Sequence, residues 1–142
     1  MIIIIDYGHG NLYSIAQALT QIGAPAKIST DPQDIAAAER IILPGVGAFG
    51  TAMRELRERS LVSSLHAAAK EGKPILGICL GMQLLAERSE EFGDHQGLGL
   101  IPGNISFLPK VSLEDDPSMS TALCVEFIFS DYHGLGDKEQ GR

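Results

Sequence analysis

Tryptophan is absent from this chain of 142 residues, aromatic residues supply only 6% of it, and cysteine occurs twice, at Cys79 and Cys124. Two cysteines make no disulfide framework, so stability has to come from a packed core, and with no export signal the chain is expected to be cytoplasmic and reduced. Long apolar runs are also missing: nothing approaches the roughly 18 residues of a membrane span. The opening MIIIID is too short and too acidic at its end for a signal peptide, and reads as a strand. Basic residues are outnumbered, 11 Lys and Arg against 18 Asp and Glu, for a net charge of -7. That balance lacks the basic face that phosphate backbones require and argues against nucleic-acid binding. No Cys/His pattern has metal-ligand spacing, and His95 beside Asp94 is too sparse to make a site, so neither a metal nor another cofactor is implied. What the chain does have is 44% hydrophobic residues in a length suited to one modest domain.

Those hydrophobic residues come in short runs that alternate with amphipathic stretches. Ile2 to Ile5 is a continuous aliphatic run, the pattern of a strand buried on both faces of a parallel sheet. Asn11 can cap a helix with apolar positions Leu12, Ile15, Ala16 and Leu19, ending near Gly23. Ala26 to Ser29 and Arg40 to Leu43 read as the next strands, the latter stopped by Pro44-Gly45. Helices are expected at Ala52 to Arg59 and Leu61 to Lys70, with Leu56, Leu65 and Ala68 inward. A fourth strand follows at Ile75 to Ile78, then a helix from Gly81 to Arg88. This order predicts an α/β fold with a doubly wound, mostly parallel sheet. Leu98 to Ile101 and Ile105 to Leu108 suggest a later β pair joined by a turn at Pro102-Gly103-Asn104. Residues 1–109 therefore form the expected domain. Residues 110–142 read as a polar, acidic tail with one apolar island, Ala122 to Phe129, as a possible last strand.

Gly77-Ile78-Cys79-Leu80-Gly81 lies where a strand passes into a helix, the setting of a nucleophile elbow. A nucleophile raised on a strained turn needs small neighbours, and the glycines supply them. A helix beginning at Leu80 would aim its amino end at the sulfur, favouring the reactive thiolate, and Leu80 N–H could hold an oxyanion. The plain alternative, a small buried hydrophobe, is the usual fate of a free cysteine and is the reading kept for Cys124. A second glycine-rich loop, Pro44 to Gly50, and a third, Asp6 to Asn11, leave the same carboxyl edge of the sheet, where α/β folds bind ligands. Gly8-x-Gly10 is not a dinucleotide fingerprint, because Tyr13 occupies its last glycine position.

The stretch GICLGMQ resembles the nucleophile motif of class I (triad) glutamine amidotransferases, and IDYGHGNL and LPGVGAFG are similar to segments of the glutaminase subunits of imidazole glycerol phosphate synthases. The resemblance covers about residues 1–109, including GLGLIPGNI. Related glutaminases usually carry a second glycine where Val46 stands, and several differ at Met82. The resemblance implies a flavodoxin-like sheet and a cysteine thioester mechanism that hydrolyses glutamine to glutamate and ammonia. Cys79 would be the nucleophile. Leu80 N–H and an amide of the Val46-Gly47 loop would form the oxyanion hole, and Gly47, Gln83 and Glu91 would hold the substrate. It also implies a heterodimer with a (β/α)8-barrel cyclase subunit that receives the ammonia. The loops at Gly8 to Asn11 and at Phe49 would lie on or near that interface.

The carboxyl-terminal part departs from this pattern. The family carries a His-x-Glu pair that serves as base and orienting acid, and this sequence contains none. Four histidines are present. His66 falls within a helix, His95 follows an acidic run, His9 lies in the first loop, and His133 has only Glu139 nearby. Two expectations from different classes follow: a glutaminase by descent with impaired turnover and without the family's last strands, or a catalytically silent subunit or fragment that docks on the cyclase. An unrelated cysteine hydrolase using His9 or His133 is the third alternative.

Overall fold

The computed structural model describes residues 1–106 and the backbone of a short strand at 128–129. Four parallel strands form its centre: β1 (Ile2–Ile5), β2 (Ala26–Ser29), β3 (Arg40–Leu43) and β4 (Ile75–Gly77). Their spatial order is β2-β1-β3-β4, with the two-residue strand β8 (Ile128–Phe129) antiparallel on β4. After β2 the chain crosses over β1 to build β3, so the order reverses between β1 and β3. That reversal is the switch point at which open α/β sheets leave a crevice.

Alternation along the strands sorts the two faces. Ile3, Ile5, Ile41, Leu43 and Ile75 join one apolar cluster with α2 (Pro32–Ala37), α3 (Phe49–Glu58), α4 (Leu61–Lys70) and α5 (Leu80–Leu84). From these helices Ile35, Phe49, Met53, Leu56, Leu61, Leu65 and Leu84 are fully enclosed. The inward positions Leu56, Leu65 and Ala68 stand as the helical spacing predicts. On the other face, register aligns Ile28, Ile4, Ile42 and Leu76 in one row across the sheet. Helix α1 (Leu12–Gln21) starts at Asn11, whose side chain accepts from Ser14 N–H, and no residue of α1 is fully buried. Its half-buried positions are Leu12, Ile15, Ala16 and Leu19, the stripe read from the sequence. No helix among the described residues is long and apolar enough to cross a membrane.

Several elements differ from the expectation. Helix α3 begins at Phe49, three residues earlier than read, and α2 was not anticipated, although Asp31 caps it through Gln33 N–H and Pro32 stands at its first position. The helix expected over residues 81–88 stops at Leu84, and Ala86–Ser89 is a strand, β5. The cause is tertiary. The carbonyls of Leu84, Leu85 and Ala86 accept from the amides of residues 98 to 101, so from Leu84 onward the backbone pairs with a distant segment instead of with its own next turn. The turn expected at Pro102-Gly103-Asn104 is likewise the middle of a strand, β7 (Ile101–Ile105). Strand β7 pairs in parallel with β5, while β6 (His95–Gln96) pairs antiparallel on the other side of β5. The register shifts between Ala86 and Arg88, so Pro102 and Gly103 are absorbed as a bulge, with Gly103 N–H donating to Glu87 Oε2 at 3.1 Å. Most of the island at 122–129, and all of the tail beyond it, lie outside the described residues.

Candidate active site

Leu43 and Gly77 are register partners, so the loops that follow β3 and β4 start at the same level on one edge of the sheet. The loop after β1 joins them there: Tyr7 Oη donates to the Pro44 carbonyl at 2.7 Å. Cys79 stands at the tip of the β4–α5 turn, exposed, with φ 55° and ψ -120°. A left-handed φ at a non-glycine residue stores roughly 1–3 kcal/mol of strain, which surrounding packing has to impose. It is imposed here by glycines. A Cβ at Gly77 would lie 2.5 Å from Met82 Cα, and one at Gly81 would lie 1.9 Å from the Leu43 carbonyl oxygen. The small neighbours anticipated for the elbow are thus sterically required, and the buried-hydrophobe alternative for Cys79 fails on exposure.

The two glycine loops also meet each other. A Cβ at Gly45 would come within 2.6 Å of Tyr7 Oη, 2.7 Å of Gly81 N and 2.9 Å of Leu80 Cβ. Val46 is exposed and Gly47 carries φ 94°, so the loop passes open backbone beside the nucleophile turn. Leu80 N–H is the first amide of α5 and has no carbonyl within the helix to bond. Gln83 is half-buried one turn further along α5.

Glu91, half-buried just after β5, has its carboxylate on the neighbouring loop: Oε2 accepts from Phe49 N–H at 2.8 Å, at the start of α3. Ser89, fully buried, accepts from Glu91 N–H at 3.1 Å and fixes the residue's approach. The sequence reading placed Glu91 as a substrate ligand and missed this tie to α3. It also missed Tyr7, although β1 offered a signal, since Ile3, Ile5 and Tyr7 continue one period-2 face into the core.

Of the three described histidines, His66 and His95 are engaged elsewhere, and His9 lies beside the Gly47 loop. His66 Nε2 bonds the Leu98 carbonyl at 2.7 Å, and the His95 ring packs against Gly50, where a Cβ would lie 2.6 Å from it. His9 lies against Tyr7, ring centroids 5.6 Å apart, with Nδ1 3.9 Å from where a Gly47 Cβ would stand. His133 and Cys124 lie outside the described residues. Among the described residues no group of His, Cys, Asp and Glu is arranged to hold a metal ion.

A family model for "Glutamine amidotransferase class-I" matches residues 3–134. The chain belongs to the class-I glutamine amidotransferases. Within that family it is 55% identical over 109 residues to the imidazole glycerol phosphate synthase subunit HisH of Streptococcus sanguinis, covering 77% of this chain and 53% of the relative. The HisH subunit of Bacillus licheniformis is 56% identical over 105 residues, 74% of this chain and 50% of that protein. The chain thus spans about half the length of the curated relatives it matches. A solved glutamine amidotransferase superposes with a TM-score of 0.65 at 20% identity, covering 75% of this chain and 56% of that one, and shows the shared fold.

Proposed function

We propose that this chain is the nucleophile-bearing part of a glutaminase subunit of imidazole glycerol phosphate synthase. The observation that carries the reading is Cys79 itself: an exposed thiol on a strained turn, with Leu80 N–H and the Gly45–Gly47 backbone beside it. The Cys79 thiolate attacks the side-chain amide carbon of glutamine, and the carbonyl oxygen becomes an oxyanion held by Leu80 N–H and an amide of the Val46-Gly47 loop. The C–N bond then breaks, ammonia leaves with a proton delivered to nitrogen, and water hydrolyses the γ-glutamyl thioester to glutamate. Gln83 binds the α-carboxylate end of the substrate, and Glu91, an anion, takes the α-ammonium group. Residues 1–109 form the amidotransferase unit, and the ammonia passes to a (β/α)8-barrel cyclase subunit in a cytoplasmic heterodimer serving histidine biosynthesis.

The proton transfers need a base, and these 142 residues contain no His-x-Glu pair. With His66 bonded to a carbonyl and His95 packed on Gly50, the arrangement favours a chain that forms the covalent adduct but turns over slowly or not at all. A silent subunit that docks on the cyclase is the second reading, supported by the same two histidines. The test incubates the chain with 6-diazo-5-oxo-norleucine, a glutamine analogue, and follows Cys79 by peptide mass spectrometry. Glutamate release is measured in parallel with a cyclase subunit present. Labelling at Cys79 that disappears in Cys79→Ser supports the glutaminase site. Labelling without glutamate release assigns impaired turnover. Absence of labelling, with the cyclase still bound, leaves the docking reading.

A further inference from the structure

We propose that Tyr7 is the positioning residue that sets the Pro44–Gly47 loop for its oxyanion role, by holding the Pro44 carbonyl from beneath the nucleophile turn. The inference rests on the glutaminase reading of Cys79 and adds to it a residue outside the nucleophile, oxyanion and substrate groups. Tyr7 is completely enclosed, and its hydroxyl is committed to one acceptor, the Pro44 oxygen at 2.7 Å. The peptide after Pro44 is planar, so fixing its C=O also fixes the direction of Gly45 N–H and the entry to the next peptide. Beyond Gly45 the loop opens. Val46 is exposed, and Gly47 occupies a φ of 94° that its missing side chain permits.

Packing places that restraint at the point where the nucleophile turn arrives. The space a Gly45 side chain would need is filled by Tyr7 Oη, Gly81 N and Leu80 Cβ together. Phenol, loop and elbow therefore share one contact point, and a shift of any of them moves the others. From the other side Gly10 lies so close that a Cβ there would be 3.0 Å from Pro44 Cβ. The His9 ring rests on Tyr7 and beside Gly47, closing the space under the loop. Burial raises the phenol well above its ordinary value, and the negative charge of Cys79 adds to the shift. The hydroxyl thus keeps its proton, and the bond to Pro44, across the neutral pH range.

The test compares two reagents on Cys79. Iodoacetamide needs only a thiolate, whereas 6-diazo-5-oxo-norleucine must be bound and its carbonyl polarised before the thiolate displaces dinitrogen from the protonated diazo carbon. Removing the hydroxyl in Tyr7→Phe is expected to slow the analogue about tenfold or more while iodoacetamide stays within about twofold. A second protein carrying 3-fluorotyrosine at position 7 keeps the ring and alters only the donor strength. It should shift the analogue rate alone, and it decides the matter if the Phe variant loses its cooperative melt. Equal changes with both reagents assign Tyr7 to stability and overturn the proposal, as do rates in Tyr7→Phe that match those of a wild-type chain that the analogue labels. A wild-type chain alkylated by iodoacetamide but never by the analogue overturns the glutaminase reading, and this inference with it.

Discussion

Gly81 has no room for even one methyl group, since a Cβ would lie 1.9 Å from a backbone oxygen of β3, which cannot rotate away. Gly81→Ala is therefore expected to cost at least about 3 kcal/mol, more than ordinary overpacking of a side-chain core. It should also abolish labelling of Cys79 by the glutamine analogue. Urea unfolding with an unchanged m-value checks the first, and mass spectrometry the second. Glu91 permits a finer separation. Glu91→Gln keeps an oxygen for Phe49 N–H but loses the charge proposed for the substrate ammonium group. Its stability should stay within about 0.5 kcal/mol of wild type, while the analogue concentration for half-maximal labelling rises about tenfold. Glu91→Ala removes both roles and should lower stability by about 1–2 kcal/mol as well. Equal labelling in all three proteins would remove Glu91 from the substrate site and leave it as the cap of α3.

The β2–α2 unit is fastened by local polar contacts that can be tested singly. Asp34 in α2 bonds Lys27 Nζ at 2.9 Å and the Ser29 hydroxyl, both on β2. The Lys27 hydrogen bond, then that of Ser29, holds the Asp34 carboxyl below its ordinary value. A carboxyl lowered in the folded state contributes stability above the ordinary carboxylate range, and that contribution is lost as pH falls through the folded value. Urea midpoints of wild type and Asp34→Asn should accordingly differ near about pH 6 and converge near about pH 2–3. A constant gap would show that the charge is not the cause. On α1, Asn11→Ala removes the cap on Ser14 N–H and should cost about 1 kcal/mol. The β5–β7 region shows where element-level reading ends. Residues 84 to 88 suit a helix locally, and Pro102-Gly103-Asn104 suits a turn. Each was overruled by hydrogen bonds to a segment a dozen or more residues away.

Across the whole molecule, the two faces of the sheet are covered unequally among the described residues. Four helices close the face of Ile3, Ile41 and Leu43, while on the row Ile28, Ile4, Ile42 and Leu76 the inner Ile4 and Ile42 are buried and the cover gives out at the β2 edge. Ile28 is 40% exposed on the edge strand β2. Edge strands with apolar faces promote self-association. Sedimentation at rising concentration should show reversible association of this chain, persisting in salt because its driving force is apolar, and weakened by Ile28→Lys. A monomer at all concentrations, with no binding of an apolar dye, would indicate that this face is closed.

The strands β1 to β4, the elbow glycines and Cys79 were legible in the sequence because each depends on neighbours in the chain: a run of aliphatics, a turn residue, a small residue beside a strained one. Local chemistry even announces α2, through Asp31 and Pro32. What the tertiary structure alone decided is who meets whom at the sheet edge. The Tyr7 hydroxyl reached Pro44, and Glu91 reached Phe49. Residues 98 to 101 took the carbonyls that would have extended α5. Periodicity assigns a residue to a face, but the partner it finds there is set by strand order and register, which bring together groups some 37 and 42 positions apart in the chain.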